Sequence, residues 1–160
     1  MQKPNNYQIV VIAHKIRSLY NVGSIFRTCD AIGAQKLYLS SYTASPKEQP
    51  VRLSKTALGA DKTVPWEKTK TISPIIKKYK KLGYEIIALE ETKNQSIFYN
   101  KWQPTTKILI ILGNEVNGIS KSTLKMCDKI IQLPMLGQKK SLNVTVAFGA
   151  IAYYILSKFR

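Results

Sequence analysis

The chain has 160 residues and 44% hydrophobic content, enough for one domain with a real core, and no uninterrupted apolar run reaches the length that spans a bilayer. Its 25 lysines and arginines stand against 9 acidic residues, a formal net charge of +16, so the expected partner is a polyanion, nucleic acid before anionic membrane. One histidine, His14, and two distant cysteines, Cys29 and Cys127, exclude multi-histidine metal sites and CxxC centres, and no metal is expected. Residues 1–8 carry no apolar signal core, so the expected location is cytoplasmic, with both cysteines reduced and buried and His14 a satisfied structural or surface side chain.

Short runs rich in Val and Ile alternate with stretches of helical period, which predicts an α/β domain, a parallel sheet with helices packed on its faces. In chain order, a strand over 9–13 leads to a helix over 22–32, capped by Ser18 or Asn21 and ended by Gly33. A strand over 36–40 follows. Residues 41–66, with Pro46, Pro50 and Pro65, read as a long excursion holding about one helical turn. Then come a helix over 73–82 ended by Gly83, strands over 85–89 and 108–112, and a short helix over 121–127 capped by Ser120. A strand over 129–133 and a helix over 144–158 complete the pattern. No repeat, low-complexity tract or Gly/Ser linker divides the chain, so one domain over 1–160 is expected.

Open α/β sheets bind ligands outside the carboxyl ends of their strands, so the loops leaving those ends carry the functional question. None has the pattern of a P-loop or of G-x-G-x-x-G, which disfavours nucleotide hydrolysis and hydride transfer. The first loop runs into a helix as Ser18-Leu19-Tyr20-Asn21-Val22-Gly23-Ser24-Ile25-Phe26-Arg27-Thr28-Cys29-Asp30. Arg27 there has two readings: a surface ion pair with Asp30 at i+3, or a guanidinium fork gripping a phosphate beside a reacting hydroxyl. The second, Leu112-Gly113-Asn114-Glu115-Val116-Asn117-Gly118-Ile119, has two glycines for tight turns and a carboxylate, Glu115, at a strand mouth, or is an ordinary polar turn. In the third, Leu133-Pro134-Met135-Leu136-Gly137-Gln138-Lys139-Lys140-Ser141-Leu142-Asn143-Val144, Ser141 and Asn143 are first of all helix caps, and free N–H groups beside them suit a polar or anionic ligand. The last helix is apolar on more than one face, through Val144, Val146, Phe148, Ile151, Tyr154 and Ile155, which points to a subunit interface.

Taken together and in order, N-V-G-S-I-F-R-T-C-D-A-I-G, L-G-N-E-V-N-G-I and L-P-M-L-G-Q-K-K-S-L-N-V-T-V-A resemble the three motifs of the SpoU (TrmH-like) family, the RNA ribose methyltransferases of the SPOUT superfamily. The resemblance covers nearly the whole chain. It implies a C-terminal part threaded into a deep trefoil knot, with S-adenosylmethionine bound in a bent form within it. The implied activity is methylation of a ribose 2′-hydroxyl in tRNA or rRNA, tRNA being preferred, by a homodimer whose active site is completed across the interface. Carried over residue by residue, Arg27 matches the catalytic arginine, Asn21 the motif asparagine that organises the site, Glu115 the second-motif glutamate, and Ser141 and Asn143 the polar pair of the third. Gly113, Leu133 and Leu142 fall where the family contacts the cofactor, largely through backbone groups, and Leu89 joins them from the mouth of the third strand.

A guanidinium on its own is a poor base, so the resemblance carries the expectation that RNA phosphate or a partner-subunit group orients Arg27 to receive or relay the ribose proton. With no accessory RNA-binding domain expected, the chain's own Lys77, Lys78, Lys80, Lys81, Lys139 and Lys140 are candidates for RNA contact, although a solvated helix face accounts for some of them. Two other readings remain. A non-catalytic RNA-binding protein on the same fold predicts a missing arginine or a degraded cofactor loop. A base methyltransferase from a neighbouring SPOUT branch lacks the Asn21 and Arg27 signature.

Overall fold

The computed structural model describes residues 6–159. The absence of a signal core was read over a segment whose residues 1–5 lie outside the described residues. The chain alternates strands and helices as β1 (Gln8–His14), α1 (Leu19–Ala31), β2 (Lys36–Ser40), α2 (Pro50–Ala57), α3 (Ala60–Thr63), β3 (Trp66–Thr69) and α4 (Ser73–Lys81). It continues through β4 (Glu85–Leu89), β5 (Ser96–Phe98), a single 3-10 turn, β6 (Lys107–Leu112), α5 (Lys121–Leu124), β7 (Lys129–Gln132) and α6 (Val144–Phe159). The sheet has seven strands in the order β3-β2-β1-β6-β4-β7-β5, and every pairing is parallel.

Burial explains why the central strands read as unbroken apolar runs. Five consecutive residues of β1 and five of β6 are buried, because helices cover both faces and leave neither side of the pleat to water. Alternation divides them between two cores. Ile9, Val11 and Ala13 of β1 join Ile108, Ile110 and Leu112 of β6 under α1, α2 and α6, through Val22, Ile25, Phe26, Leu53, Phe148 and Ile151. Val10 and Ile12 point the other way, with Leu109, Ile111, Ile86 and Ala88, onto Ile75, Ile76 and Tyr79 of α4.

The excursion over 41–66 is more structured than the sequence suggests. It holds two helices, α2 and α3: Pro50 opens α2 in its first turn, where a missing N–H costs nothing, and the left-handed Leu58 (φ 51°) and Gly59 (φ 92°) separate the two. α2 lies so close to α1 that a Cβ on Gly23 would strike Thr56. The strands β3 and β5 were not expected either; they are the two edges of the sheet, 4 and 3 residues long, partly exposed and too short for a periodic signal. The expected strand 129–133 stops at Gln132, and the expected helix 121–127 stops at Leu124.

Gly33 (φ 63°) and Gly83 (φ 81°) do follow their helices in the left-handed region. His14 Nδ1 is 2.5 Å from Ser40 Oγ, the satisfied role expected of it. Both cysteines are free thiols; Cys29 is buried, but Cys127 is only partly so, a correction to its expected burial. Among the described residues no helix is long and apolar enough to cross a membrane.

Candidate active site

Parallel pairing aligns the carboxyl ends of β1, β6, β4 and β7, and the loops leaving them meet there. Ser18, not Asn21, caps α1, its hydroxyl accepting from the Asn21 N–H at 3.3 Å. That frees the Asn21 side chain. Its Nδ2 donates to Glu115 Oε1 at 2.8 Å, while the two oxygens of Glu115 also accept from the backbone N–H of Arg17 (3.1 Å) and Ser18 (3.2 Å). On its other side Asn21 Oδ1 accepts from Asn143 Nδ2 at 3.2 Å. One residue from each of the three loops thus joins a single hydrogen-bonded chain, Asn143 to Asn21 to Glu115. Burial alone raises the Glu115 pKa, but the bonds from the Asn21 side chain and from the N–H groups of Arg17, Glu115 and Ser18 outweigh it, so the carboxyl lies below its ordinary value.

Behind Glu115 the loop is held by a residue that sequence reading passed over. Asn114 is buried; its Oδ1 accepts from the N–H of Val116 (2.9 Å) and Asn117 (2.7 Å), and its Nδ2 donates to Lys15 O (2.9 Å) and Tyr42 Oη (3.0 Å). Such self-bonding by asparagine closes a tight turn, and Gly118 (φ 63°) completes it. Glu90 secures the far end, its Oε2 accepting from the Ile119 N–H at 2.9 Å. For Asn114 a signal was available, an asparagine beside Gly113 at a strand mouth; Glu90 follows β4 with no glycine next to it.

A cavity of about 340 Å³ opens beside this chain. Leu89, Gly113, Leu133 and Leu142, the four residues expected to touch a cofactor, all line it, with Glu115, Ser141 and Asn143 from the expected catalytic set. Ile131, Glu90, Glu91 and Lys140 also contribute to the wall. At Gly113 a Cβ would run into Ile119, so only glycine allows the backbone to form the wall there. Asn143 caps α6 with its Oδ1, which accepts from the Thr145 N–H at 2.8 Å; Ser141, expected to share that role, instead lies exposed at the cavity rim.

Arg27 is apart from this cavity. It lies six residues beyond Asn21 on α1, about 9 Å along the axis and about 120° around it, and lines an open groove with Ser24, Thr28, Ala31, Thr145, Val146 and Tyr153. The alternative ion pair with Asp30 does not form among the described residues, since Asp30 Oδ1 accepts from Thr63 Oγ1 at 2.6 Å. The lysines proposed for RNA contact, Lys77, Lys78, Lys80, Lys81, Lys139 and Lys140, are all exposed, and of them only Lys80 is paired among the described residues, with Asp128 at 3.2 Å. Among the described residues no group of three or more His, Cys, Asp or Glu is arranged to hold a metal ion.

The fold and cavity define a parallel α/β domain with a cavity at the carboxyl ends of its strands, between a glycine-walled turn and the loop entering its last helix. Over residues 8–153 the chain matches the SpoU rRNA Methylase family, and it belongs to that family. It is 34% identical over 145 residues to a tRNA (guanosine(18)-2′-O)-methyltransferase from Aquifex aeolicus, covering 91% of this chain and 67% of that one. The A. aeolicus TrmH/SpoU tRNA modifying enzyme superimposes with a TM-score of 0.84 at 29% identity, over 96% of this chain and 77% of that one. The SpoU methyltransferase AviRb from Streptomyces viridochromogenes, solved with AdoMet, superimposes with a TM-score of 0.83 at 23% identity, over 98% and 59%, a likeness of fold. The chain spans 58% to 67% of the length of the first curated relatives it matches.

Proposed function

We propose that the chain is an S-adenosylmethionine-dependent RNA methyltransferase that modifies a ribose 2′-hydroxyl in tRNA or rRNA, with tRNA preferred. The observation that carries the reading is the chain of bonds from Asn143 through Asn21 to Glu115, at the wall of a cavity lined by every residue assigned to the cofactor. Family membership and the Aquifex relative, a tRNA 2′-O-methyltransferase, support the reaction and the RNA class.

The cavity fits the cofactor. Leu89, Ile131, Leu133 and Leu142 give an apolar wall for an adenosine, Gly113 lets backbone polar groups face it, and the carboxylates of Glu90 and Glu91 suit a cationic ligand. When bound, S-adenosylmethionine supplies an activated methyl group on a sulfonium. The protein's own task is then mainly position: Glu115 and Asn21 fix the turn on which Gly113 stands, and Asn143 fixes the entry to α6. Arg27 is assigned to the ribose, where its guanidinium, oriented by RNA phosphate or a partner-subunit group, relays the hydroxyl proton by passing one of its own N–H protons to that group as the hydroxyl proton arrives.

Because Arg27 opens onto a groove away from the cavity, this reading includes a homodimer, with the arginine of one copy serving the cavity of the other. An unburied stripe supports that surface: Val146, Ala150 and Tyr153 recur at helical spacing on α6, and Val146 and Tyr153 are 56% and 57% exposed beside Arg27. The trefoil threading of the C-terminal part, a single domain over 1–160 and a cytoplasmic location belong to the same reading. Incubation with total tRNA and rRNA and isotope-labelled S-adenosylmethionine, followed by mass spectrometry of the nucleosides, tests it. A labelled 2′-O-methyl nucleoside that disappears in Arg27→Ala is expected; labelled base, or no label in either RNA, overturns the assignment.

A further inference from the structure

Tyr42 is 55% exposed, yet it is not a loose surface side chain. Its hydroxyl accepts from Asn114 Nδ2 at 3.0 Å, the buried amide that also closes the turn at the cavity wall. Its backbone is held on both sides. Ser41 before it takes a left-handed φ of 59°, and Thr43 after it is fully buried, its Oγ1 accepting from Ile16 N–H (2.9 Å) and donating to Ala13 O (3.1 Å). Lys68 adds a bond to the Thr43 carbonyl and an ion pair with Glu48 at 3.0 Å. Among the described residues Tyr42 stacks on no other ring.

A tyrosine that hides its hydroxyl and shows its ring, on a backbone bonded from both sides, is a rigid aromatic surface with little entropy left to lose. Its neighbours are cationic. The Lys15 carbonyl shares the Asn114 amide with Tyr42, Arg17 shares Glu115 with Asn21, and both side chains are exposed without an ion pair among the described residues. An exposed ring bonded through Asn114 to the loop that carries Lys15 and Arg17 matches one ligand chemistry above others, a single-stranded nucleotide with its base on the ring and its phosphates on those charges.

We propose that Tyr42 is a stacking platform for a nucleobase next to the methylated nucleotide, with Lys15 and Arg17 holding the flanking phosphates. This rests on RNA being the substrate. It assigns an unpaired nucleotide to the edge of the site, so the target lies in a loop or other single-stranded segment rather than within a duplex.

The test compares Tyr42→Ala with Tyr42→Phe, which keeps the ring and loses only the hydroxyl. Total tRNA binding is followed by filter retention, S-adenosylmethionine binding by calorimetry, and KM for tRNA by methyl incorporation. Tyr42→Ala is expected to weaken tRNA binding and raise KM about tenfold with cofactor affinity unchanged, and Tyr42→Phe to restore binding to within about threefold. Wild-type tRNA affinity in Tyr42→Ala overturns the proposal. So does an equal loss of cofactor binding in both variants, which would make Tyr42 only a clamp on Asn114. Binding that depends on the ring in a protein that transfers no methyl group would uphold the platform and sink the enzymatic reading; binding of neither tRNA nor rRNA by the wild type would sink both.

Discussion

Asn21 and Arg27 stand on the same helix, six residues apart, and end in opposite circumstances. Asn21 is enclosed in a lattice that reaches all three motif loops, bonded at 2.8 Å to Glu115 and at 3.2 Å to Asn143. Arg27 is exposed in an open groove and has no ion pair among the described residues. The lattice is closed within one chain; the groove, between α1 and α6, is open. The difference teaches that residues of one motif on one helix can face separate surfaces, and on the proposed reading the chemistry assigned to Arg27 waits for a second copy.

The largest effect should come from Arg27 itself. Arg27→Lys keeps the charge but loses the planar fork, and turnover is expected to fall about 10²-fold or more while S-adenosylmethionine binding, read by calorimetry, is unchanged. A variant that keeps its turnover would break the division of labour between the two regions. Next is the stripe on α6: Tyr153→Asp with Val146→Asp places two charges where Val146 and Tyr153 are exposed, and sedimentation should show monomer where the wild type shows dimer. A wild type that sediments as a monomer at working concentration contradicts the shared site outright.

On the lattice side the effects are smaller. Glu115→Gln leaves one oxygen to serve three donors, and about 1 kcal/mol of stability should be lost in urea unfolding, held low by the exposure of the site. The pH dependence has a definite sign. The folded Glu115 pKa lies below its ordinary 4.5, so its contribution is present above 4.5 and is lost as pH falls through the folded value. The difference in unfolding temperature between wild type and Glu115→Gln should therefore hold steady above that pH and close below it; a gap that widens in acid would refute the lattice. Smallest is the contrast between lysines on α4: Lys77→Ala should reduce the salt dependence of RNA binding by about one ion, and Lys80→Ala by less, because Lys80 already pairs with Asp128.

How much of this was legible in the sequence follows from the same physics. Strands such as Lys36–Ser40 and Glu85–Leu89 could be read to the residue because burial on both faces leaves a continuous apolar run. The edges could not. β3 and β5 gain their strand character from a neighbour's hydrogen bonds, which no local period records. α2 was hidden in an excursion whose three prolines suggested about one helical turn, although Pro50 opens the helix. At the site, the residues expected to touch the cofactor do line one cavity, since motif loops at adjacent strand ends have to converge. Asn114, Glu90 and Tyr42 were missed because their importance lies in bonds to residues 29 to 99 positions away. The separation of Arg27 from that cavity is a matter of helix phase, and two residues of one motif gave no hint of it.

Mixing two inactive chains tests the central claim most directly. One carries Arg27→Ala; the other carries Ala147→Trp, which fills the cavity from α6. Co-expressed and assayed together, they should recover about a quarter of wild-type turnover, since half the dimers are mixed and each mixed dimer holds one intact site of two. Mixed dimers that form and transfer no methyl group would contradict the account, and would return Arg27 to the cavity of its own chain.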